Sequence, residues 1–307
     1  MDPNAILQNH LGLVLLVDYK NCNPQGDPDR EGAPRIDDVT GRGLITPMGF
    51  KRKIRDVFAL MGEKIYVARG ACYERTNDPF FKSLGIKDPK KTSREQAAEI
   101  YKKVTETFID ARLFGQPIMV MPGTCRGPFQ FGVGESVDRI DPVRLSTTRQ
   151  AVEKISEEEK QHGANRMLGA LHAVPYGLYR VHIYGNPSDA RSTGATEGDY
   201  QKLVAAIKSM FDYDRSAGRS SSCVRGLYEF RMRHVHGKSD AYGAVNIERL
   251  LETVSVHKNL GVDVPRSFAD YTVNIPDKIR HHEAFEFNEL VGSQNPYLEE
   301  PASLSAN

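Results

Sequence analysis

Basic side chains gather in two neighbouring parts of this sequence, a turn-rich segment at residues 18–45 and the helix predicted to follow it. Lysine and arginine near the amino end of a helix, where backbone N–H groups are free, are typical of a phosphate-binding site. The alternative is an amphipathic helix whose basic residues face water, and the residues alone leave both interpretations open. The basic residues of the two parts are Lys20, Arg30, Arg35, Arg42, Lys51, Arg52, Lys53 and Arg55.

The same segment contains four aspartates, which offer a second kind of chemistry: Asp27, Asp29, Asp37 and Asp38. Carboxylates this close together can hold Mg²⁺ for phosphodiester cleavage. In a stretch rich in Gly and Pro, however, Asp often closes turns and pairs with arginines beside it. We favour this second interpretation.

Histidines give a weaker signal for a metal site. The pairs are His234 with His236 and His281 with His282, and neither has a Cys or carboxylate at a matching spacing. The sequence also lacks the G-x-S-x-G, H-E-x-x-H, Walker A and dinucleotide-binding motifs. We therefore expect surface histidines, no catalytic residue, no metal and no cofactor.

The basic helix is delimited by its own sequence. Thr46 is a typical N-cap, and Pro47 suits the first helical position. Apolar residues recur at helical spacing from Phe50 to Met61 and predict one buried face, with the basic residues on the other faces. Gly49 in the first turn permits the close approach of a ligand.

The remaining apolar patterns predict alternating strands and helices. Residues Leu11 to Val17 form a short apolar run that is typical of a buried strand. The later signals are a helix capped by Thr92 and Glu95, strands at 125–133 and 176–184, a helix capped by Thr196 and Asp199, and a strand at 224–235. This order predicts an α+β, RRM-like (ferredoxin-like) fold with helices on one face of the sheet and the other face open to nucleic acid.

The composition is that of a folded globular protein, with 39% hydrophobic and 26% charged residues. We expect a single domain over residues 1–307, ending in a loose acidic tail at 295–307. Four scattered cysteines, no membrane-length apolar run and no Lys or Arg before Leu11 predict a reduced cytoplasmic protein with no membrane partner. The net charge is +1 and rises to +6 without residues 281–307, which permits a polyanionic partner without requiring one.

Two long motifs in the loop and helix resemble the start of a CRISPR-associated family. Residues Asn23 to Asp37 read NPQGDPDREGAPRID, and residues Thr40 to Arg55 read TGRGLITPMGFKRKIR. They are similar to the Cas-seven family, the repeated backbone subunit of the type I Cascade surveillance complex, and most like its subtype I-C. Shorter matching motifs follow in order along most of the chain: ARLFG (111–115), RGPFQFG (126–132), VPYGLYR (174–180) and MFDYDRSA (210–217).

The resemblance implies a non-catalytic scaffold built as an RRM-like palm with a finger insertion at 64–107 and a thumb insertion at 141–175. Family members stack as a helical filament along one CRISPR RNA, whatever its spacer sequence. The thumb kinks the RNA at regular intervals and leaves the guide free to pair with target DNA in antiviral defence. The implied partners are CRISPR RNA, target DNA, copies of the same chain, the end-capping and large subunits of Cascade, and a recruited helicase-nuclease.

A protein that binds RNA independently of the spacer sequence must contact phosphates and sugars, because the base edges are needed for pairing. Basic residues of the loop, the helix and the strand at 125–133 suit that task. In the implied thumb, Met167 and Leu168 are apolar candidates for a wedge between bases. The expected RNA-binding residues are Lys20, Arg35, Arg42, Thr46, Met48, Lys51, Arg52, Arg55, Arg126, Arg166 and His172.

This sequence also departs from the family pattern. Pro47 and Gln25 stand where Asp and Asn are expected, which weakens the match at those two positions. The thumb motif at 166–172 has Leu and Ala where basic residues are usual, so its RNA contacts are the least secure part of the resemblance.

Two other functions stay open. Related backbone subunits of type III complexes cut RNA with a loop aspartate, a role open here to Asp27, Asp29 or Asp37, although the NPQGDPD motif resembles the type I form. A stand-alone RRM-type RNA binder would instead expose an aromatic pair on its sheet. Phe129 and Phe131 are the candidates, and for them we favour core packing.

Overall fold

The computed structural model describes residues 2–116, 118, 120–149, 167–216, 218–219, 221–233 and 245–292. The strands are β1 (Leu11–Cys22), β2 (Gly26–Asp27), β3 (Ala33–Pro34), β4 (Arg42–Ile45), β5 (Gly115–Gln116), β6 (Cys125–Arg126), β7 (Phe129–Phe131), β8 (Gly134–Arg139), β9 (Val143–Arg149), β10 (Met167–Gly185), β11 (Ser222–Met232), β12 (Ser255–Lys258), β13 (Tyr271–Asn274) and β14 (Phe285–Val291). The α-helices are α1 (Pro47–Leu60), α2 (Tyr73–Ser83), α3 (Arg94–Thr107), α4 (Ile109–Phe114), α5 (Pro187–Thr193), α6 (Glu197–Ser209), α7 (Ile247–Leu251) and α8 (Asp277–Arg280). None of the helices in these ranges has the length and hydropathy that a membrane crossing needs.

An antiparallel sheet forms the centre of the molecule. Its strand order is β14-β11-β1-β10-β8-β4, and β7 and β9 also pair with β10. The central strand β1 is buried along nearly its whole length, which explains why its sequence is a continuous apolar run rather than an alternating one. The strands predicted at 11–17 and 176–184 are therefore confirmed, as is the described part of the strand predicted at 224–235, and the three lie side by side in one sheet.

The two faces of the sheet carry two separate cores. On one face, Leu13, Leu15 and Tyr19 of β1 pack with helices α1 and α6. On the other, Val14 and Leu16 pack beneath α7, β12, β13 and α8, which we call the C-terminal layer. The prediction of helices on one face and an open second face is thus wrong for the second face. The reason is that Tyr228 and Phe230 of β11, which alternate outward from α6, need a cover to leave water.

The aromatic pair of β7 also lies in the core. Phe129 is buried and stacks on Tyr200 of α6 at 5.5 Å between ring centroids. Phe131 is buried between Phe50 and Phe114. Core packing is therefore confirmed for both rings, which removes the exposed aromatic pair that a stand-alone RRM-type binder would need.

Helices α2 and α3 form a small lobe with its own core. Ile100, Tyr101 and Val104 of α3 pack with Tyr66, Phe81 and Ile118, and we call this unit the helical lobe. The N-cap of α3 is Ser93, which forms a capping box with Gln96. The predicted cap at Thr92 with Glu95 is wrong by one residue, because the Thr92 hydroxyl instead donates to the Pro89 carbonyl of the preceding turn.

The two long strands continue beyond the sheet as a hairpin stem. Residues Met167 to Ala173 of β10 pair with Val143 to Arg149 of β9. Opposite residues of such a ladder share a face, so Leu145 and Leu171 lie on one side and Arg144 and His172 on the other.

Candidate nucleic-acid interface

The amino end of α1 is tied to the turn-rich loop by reciprocal hydrogen bonds. Thr46 is the N-cap, and its hydroxyl oxygen accepts from the Gly49 backbone N–H. The Gln25 side chain donates to the Thr46 hydroxyl at 2.9 Å and accepts from the Thr46 backbone N–H at 2.7 Å. A Cβ atom at Gly49 would lie about 3.3 Å from the Gln25 amide, so the small residue admits this loop contact rather than an external ligand.

A cleft of about 670 Å³ lies beside this helix end. It is bounded by the loop, the exposed side of α1, the segment that precedes β11, and the hairpin stem at Leu171. Its lining includes the side chains of Asn23, Met48, Arg52, Lys53, Asp56, Arg69, Leu171, Asp214 and Arg219.

The ion pairs of the cleft contain more positive than negative charges. Asp56 accepts from both Arg52 and Arg69, each at 2.6 Å. Asp214 pairs with both Lys53 and Arg219. Two carboxylates thus hold four cations in fixed positions, and the cleft keeps a net positive charge. Rigidly held guanidinium groups suit the oxygens of a phosphate backbone.

The pKa of Asp56 agrees with this arrangement. Partial burial alone would raise the pKa of Asp56, but the hydrogen bonds from Arg69 and Arg52 outweigh it and hold the pKa below its ordinary value. Asp56 therefore remains a carboxylate at neutral pH, and the two arginines stay anchored to it.

Polar atoms in the cleft also lack partners. The buried Nε of Arg52 and the buried Oδ1 of Asn23 have no hydrogen-bond partner within the described ranges. Buried polar groups without partners are costly, so these two atoms favour a polar ligand at this end of α1.

Three of the predicted RNA-binding residues lie together here. Arg52 and Met48 line the cleft, and Thr46 caps the helix that carries them. Met48 is 62% exposed, which is unusual for a large apolar side chain in the first turn of a packed helix.

Two predicted residues of the same helix face the interior instead. Lys51 is buried with its ammonium 5.2 Å from the Phe114 ring centre. Arg55 is buried and donates to Asp110 at 2.7 Å. The expectation that they lie on faces of α1 away from the core is wrong, because α4 packs against that side of the helix.

The other predicted cations are dispersed. Lys20 is exposed at the end of β1, and Arg35 lies in the loop 3.3 Å from Asp27. Arg42 pairs with Glu135 at 2.7 Å and lines a different cavity. Arg126 lies in a groove beside the helical lobe. The structure does not bring these four to the cleft.

The predicted thumb residues are only partly within the description. Arg166 lies outside the described residues, as do the side chains of Met167 and Leu168, whose backbones belong to β10. His172 lies on the face of the hairpin stem opposite Leu171, so Leu171 is the stem residue that reaches the cleft.

The loop aspartates close turns, as the favoured interpretation predicted. Asp37 accepts from the Val39 backbone N–H and the Thr40 hydroxyl. Asp38 forms a two-bond ion pair with Arg30, and Asp27 accepts from the Asp29 backbone N–H. In the described part of the chain, no group of three or more His, Cys, Asp or Glu side chains is placed to hold a metal ion.

The predicted pair of His281 and His282 lies on the surface, as expected. His281 and His282 are exposed, and the His282 ring stacks on Phe285 at 4.4 Å. His234 and His236 lie outside the described residues, as does the predicted acidic tail at 295–307.

Sequence reasoning missed several residues of the cleft. Arg69 and Arg219 are far from α1 in sequence, and only the folded chain places them beside Asp56 and Asp214. Lys53 was noticed as part of the basic helix but not as a cleft residue. The local signals available were the Thr46 cap and the pair of Arg52 and Asp56, which lie four residues apart on α1.

The molecule is therefore an α+β protein with a cationic cleft at the start of a helix. A family model, CRISPR-associated protein Cas7, matches residues 9–276, and the chain belongs to that family. It is 24% identical over 254 residues to a CRISPR-associated protein Cas7 from Haloferax volcanii, covering 75% of this chain and 73% of the relative.

Similar solved structures include two chains of CRISPR RNA-guided surveillance complexes. One, described as pre-nicking, has 14% identity and a TM-score of 0.49, covering 77% of this chain and 84% of that chain. The other has 13% identity and a TM-score of 0.41, covering 76% and 73% respectively.

Proposed function

We propose that the chain is a CRISPR RNA-binding backbone subunit of a surveillance complex, without catalytic activity of its own. The observation that carries the proposal is the cleft, where two carboxylates fix four cations beside a helix amino end. Family membership supports it. Cations that contact the sugar-phosphate backbone position an RNA without reading its base sequence.

The proposed assembly follows the family pattern. Several copies bind side by side along one guide RNA, most like subtype I-C, and the guide pairs with target DNA. End-capping and large subunits complete the particle, and a helicase-nuclease is recruited to it. The hairpin stem of β9 and β10 would carry the thumb that kinks the RNA, and the helical lobe would be the finger.

The palm interpretation has its own support in the strand order. Strand β1 lies between β10 and β11, with α1 following β1 and α6 joining β10 to β11. This is the arrangement of a β-α-β-β-α-β unit. We infer an RRM-like palm whose second sheet face is occupied by the C-terminal layer.

The test is assembly on RNA. The protein is purified with each of two guide RNAs of unrelated spacer sequence, and mass photometry is combined with the 260/280 nm absorbance ratio. The expected result is a discrete multi-copy particle with both RNAs. The double variant R69Q/R219Q should retain at least tenfold less RNA, because it removes two exposed charges of the cleft.

The matched control is R30Q, which removes an exposed arginine that pairs with Asp38 outside the cleft. It should retain RNA like the unaltered chain. A protein that ignores both RNAs, or prefers one spacer sequence strongly, would contradict the proposal, as would full retention by R69Q/R219Q. Mg²⁺-dependent cleavage of a complementary RNA that is lost in D29N would contradict the non-catalytic role.

A further inference from the structure

A second groove, distinct from the cleft, separates the helical lobe from the sheet. Its volume is about 780 Å³, and it is walled by α3, the residues before β6, and α5. Ala97, Ala98, Tyr101 and Pro122 give it an apolar lining. An open groove with this lining can accept a strand or an extended segment of a protein.

Cations predominate along this groove. Arg94, Lys102 and Arg126 line it, against the single carboxylate of Asp189. Arg126 is 71% exposed and lies 3.3 Å from Asp189. Within the described ranges, neither Arg94 nor Lys102 has a carboxylate within ion-pair distance. The groove therefore favours an anionic partner.

The same chain exposes an anionic strand at the far edge of its sheet. Glu283 precedes β14, and Glu286 and Glu289 are exposed on it. Glu289 pairs with Arg280 at 2.9 Å, whereas Glu283 and Glu286 have no cation within ion-pair distance in the part that the structure describes. Strand β14 pairs with β11 on one side, and no other described strand pairs with it.

The groove and the acidic edge cannot meet within one molecule. Strand β6, which carries Arg126, leads into β7, and the order β14-β11-β1-β10-β7 places four strand spacings between the two surfaces. At roughly 4.8 Å per spacing this is about 19 Å, far beyond the reach of a glutamate side chain. Two complementary surfaces on opposite sides of one chain join copies head to tail.

We propose that the groove binds the acidic β14 edge of a second copy of this chain, with Arg94 and Lys102 facing Glu283 and Glu286. The two surfaces are opposite in sign and close in number of charges, which is the arrangement that steers and orients protein association. The contact repeats from copy to copy, and its use in a guide-RNA scaffold rests on the proposed function above.

The test uses charge reversal on each side. R94E/K102E makes the groove anionic, and E283K/E286K makes the edge cationic. Each variant alone should load RNA as isolated copies at concentrations where the unaltered chain forms multi-copy particles in mass photometry. An equimolar mixture should restore those particles, because alternating copies pair opposite charges at every contact. The control K82E/K91E reverses two exposed charges of the helical lobe outside the groove and should assemble normally.

A second measurement separates this interface from RNA binding. Fluorescence anisotropy on an RNA too short for two copies should give affinities within about twofold for all variants. Full assembly by R94E/K102E, or failure of the mixture to assemble, overturns the proposal. A tenfold loss of short-RNA affinity in R94E/K102E also overturns it and assigns the groove to nucleic acid. If the unaltered chain binds no RNA at all, the proposed function fails, and sedimentation of the mixture without RNA decides the interface.

Discussion

Lys51 of α1 is a buried lysine whose ammonium contacts aromatic rings rather than a carboxylate. Its ammonium lies 5.2 Å from the Phe114 ring centre and 6.0 Å from that of Phe131, and it has no carboxylate partner in the described part of the chain. Burial, with a smaller contribution from the neighbouring Arg55 charge, lowers its pKa from 10.5 to about 8. A buried charge held only by ring faces costs stability at neutral pH.

We predict that K51M raises the free energy of unfolding by about 2 kcal/mol at pH 7, since methionine keeps the packing without the charge. Below pH 8 Lys51 is protonated in both the folded and the unfolded chain, so the cost is fully present. Between pH 8 and 10.5 the folded chain loses the proton first, so stability rises with pH and the gain from K51M shrinks. Urea unfolding at pH 7 and pH 10 measures both values. A K51M chain that is less stable at pH 7 would contradict the prediction.

The sequence placed Lys51 on a face of α1 away from the core, and this prediction is wrong for a physical reason. Helical spacing identifies the stripe that faces the sheet from Phe50 to Phe58, whereas Met61, the predicted end of that stripe, is exposed. It cannot show that a second element, α4, packs on the adjacent stripe and buries Lys51 and Arg55. At the cleft, the sequence indicated Thr46 and Arg52, which belong to the start of α1. It did not indicate Arg69 and Arg219, because they lie in other segments of the chain.

At the scale of elements, Asp110 is the junction of three segments. It is fully buried at the start of α4. Its carboxylate accepts from Arg55 of α1 at 2.7 Å and from the backbone N–H groups of Tyr66 and Val67, which lead into the helical lobe, at 2.7 and 3.1 Å. One carboxylate therefore fixes the lobe against the helix that lines the cleft.

We predict that R55A lowers the free energy of unfolding by about 3 kcal/mol, because it leaves the buried Asp110 charge without its cation. Any loss of RNA retention in R55A should accordingly parallel the loss of folded protein. The measurement is urea unfolding alongside RNA retention per folded molecule. R30Q is the control, since its arginine is exposed and should change stability by less than about 0.5 kcal/mol. Normal stability with lost RNA binding would return Arg55 to the interface.

Element prediction from the sequence succeeded where local rules decide the outcome. The caps at Thr46 and Thr196 are both present, and the apolar run of β1 is the central strand. The C-terminal layer had no such signal, because its helices α7 and α8 have five and four residues. Such short helices are stabilised by packing on β11 rather than by their own propensity, so the covered sheet face was not foreseeable.

At the scale of the whole molecule, a net charge of +1 conceals surfaces of opposite sign. The cleft and the groove beside the helical lobe are cationic, and the β14 edge is anionic. A uniformly basic subunit would repel its own copies, whereas local basic surfaces on a balanced chain bind polyanions and still permit close stacking. Charge placement rather than total charge thus reconciles the proposed RNA binding with the proposed self-association.

This placement predicts the salt dependence of binding to a single-copy RNA. Log affinity falls with log salt concentration, and each phosphate contact on a single strand makes this slope steeper by about 0.7. R69Q and R219Q should each reduce the slope by about that amount, whatever the spacer sequence, while R30Q leaves it unchanged. Fluorescence anisotropy between 50 and roughly 300 mM salt measures the three slopes. An unchanged slope in both cleft variants would show that these arginines only anchor Asp56 and Asp214, and that the phosphates are held elsewhere on the molecule.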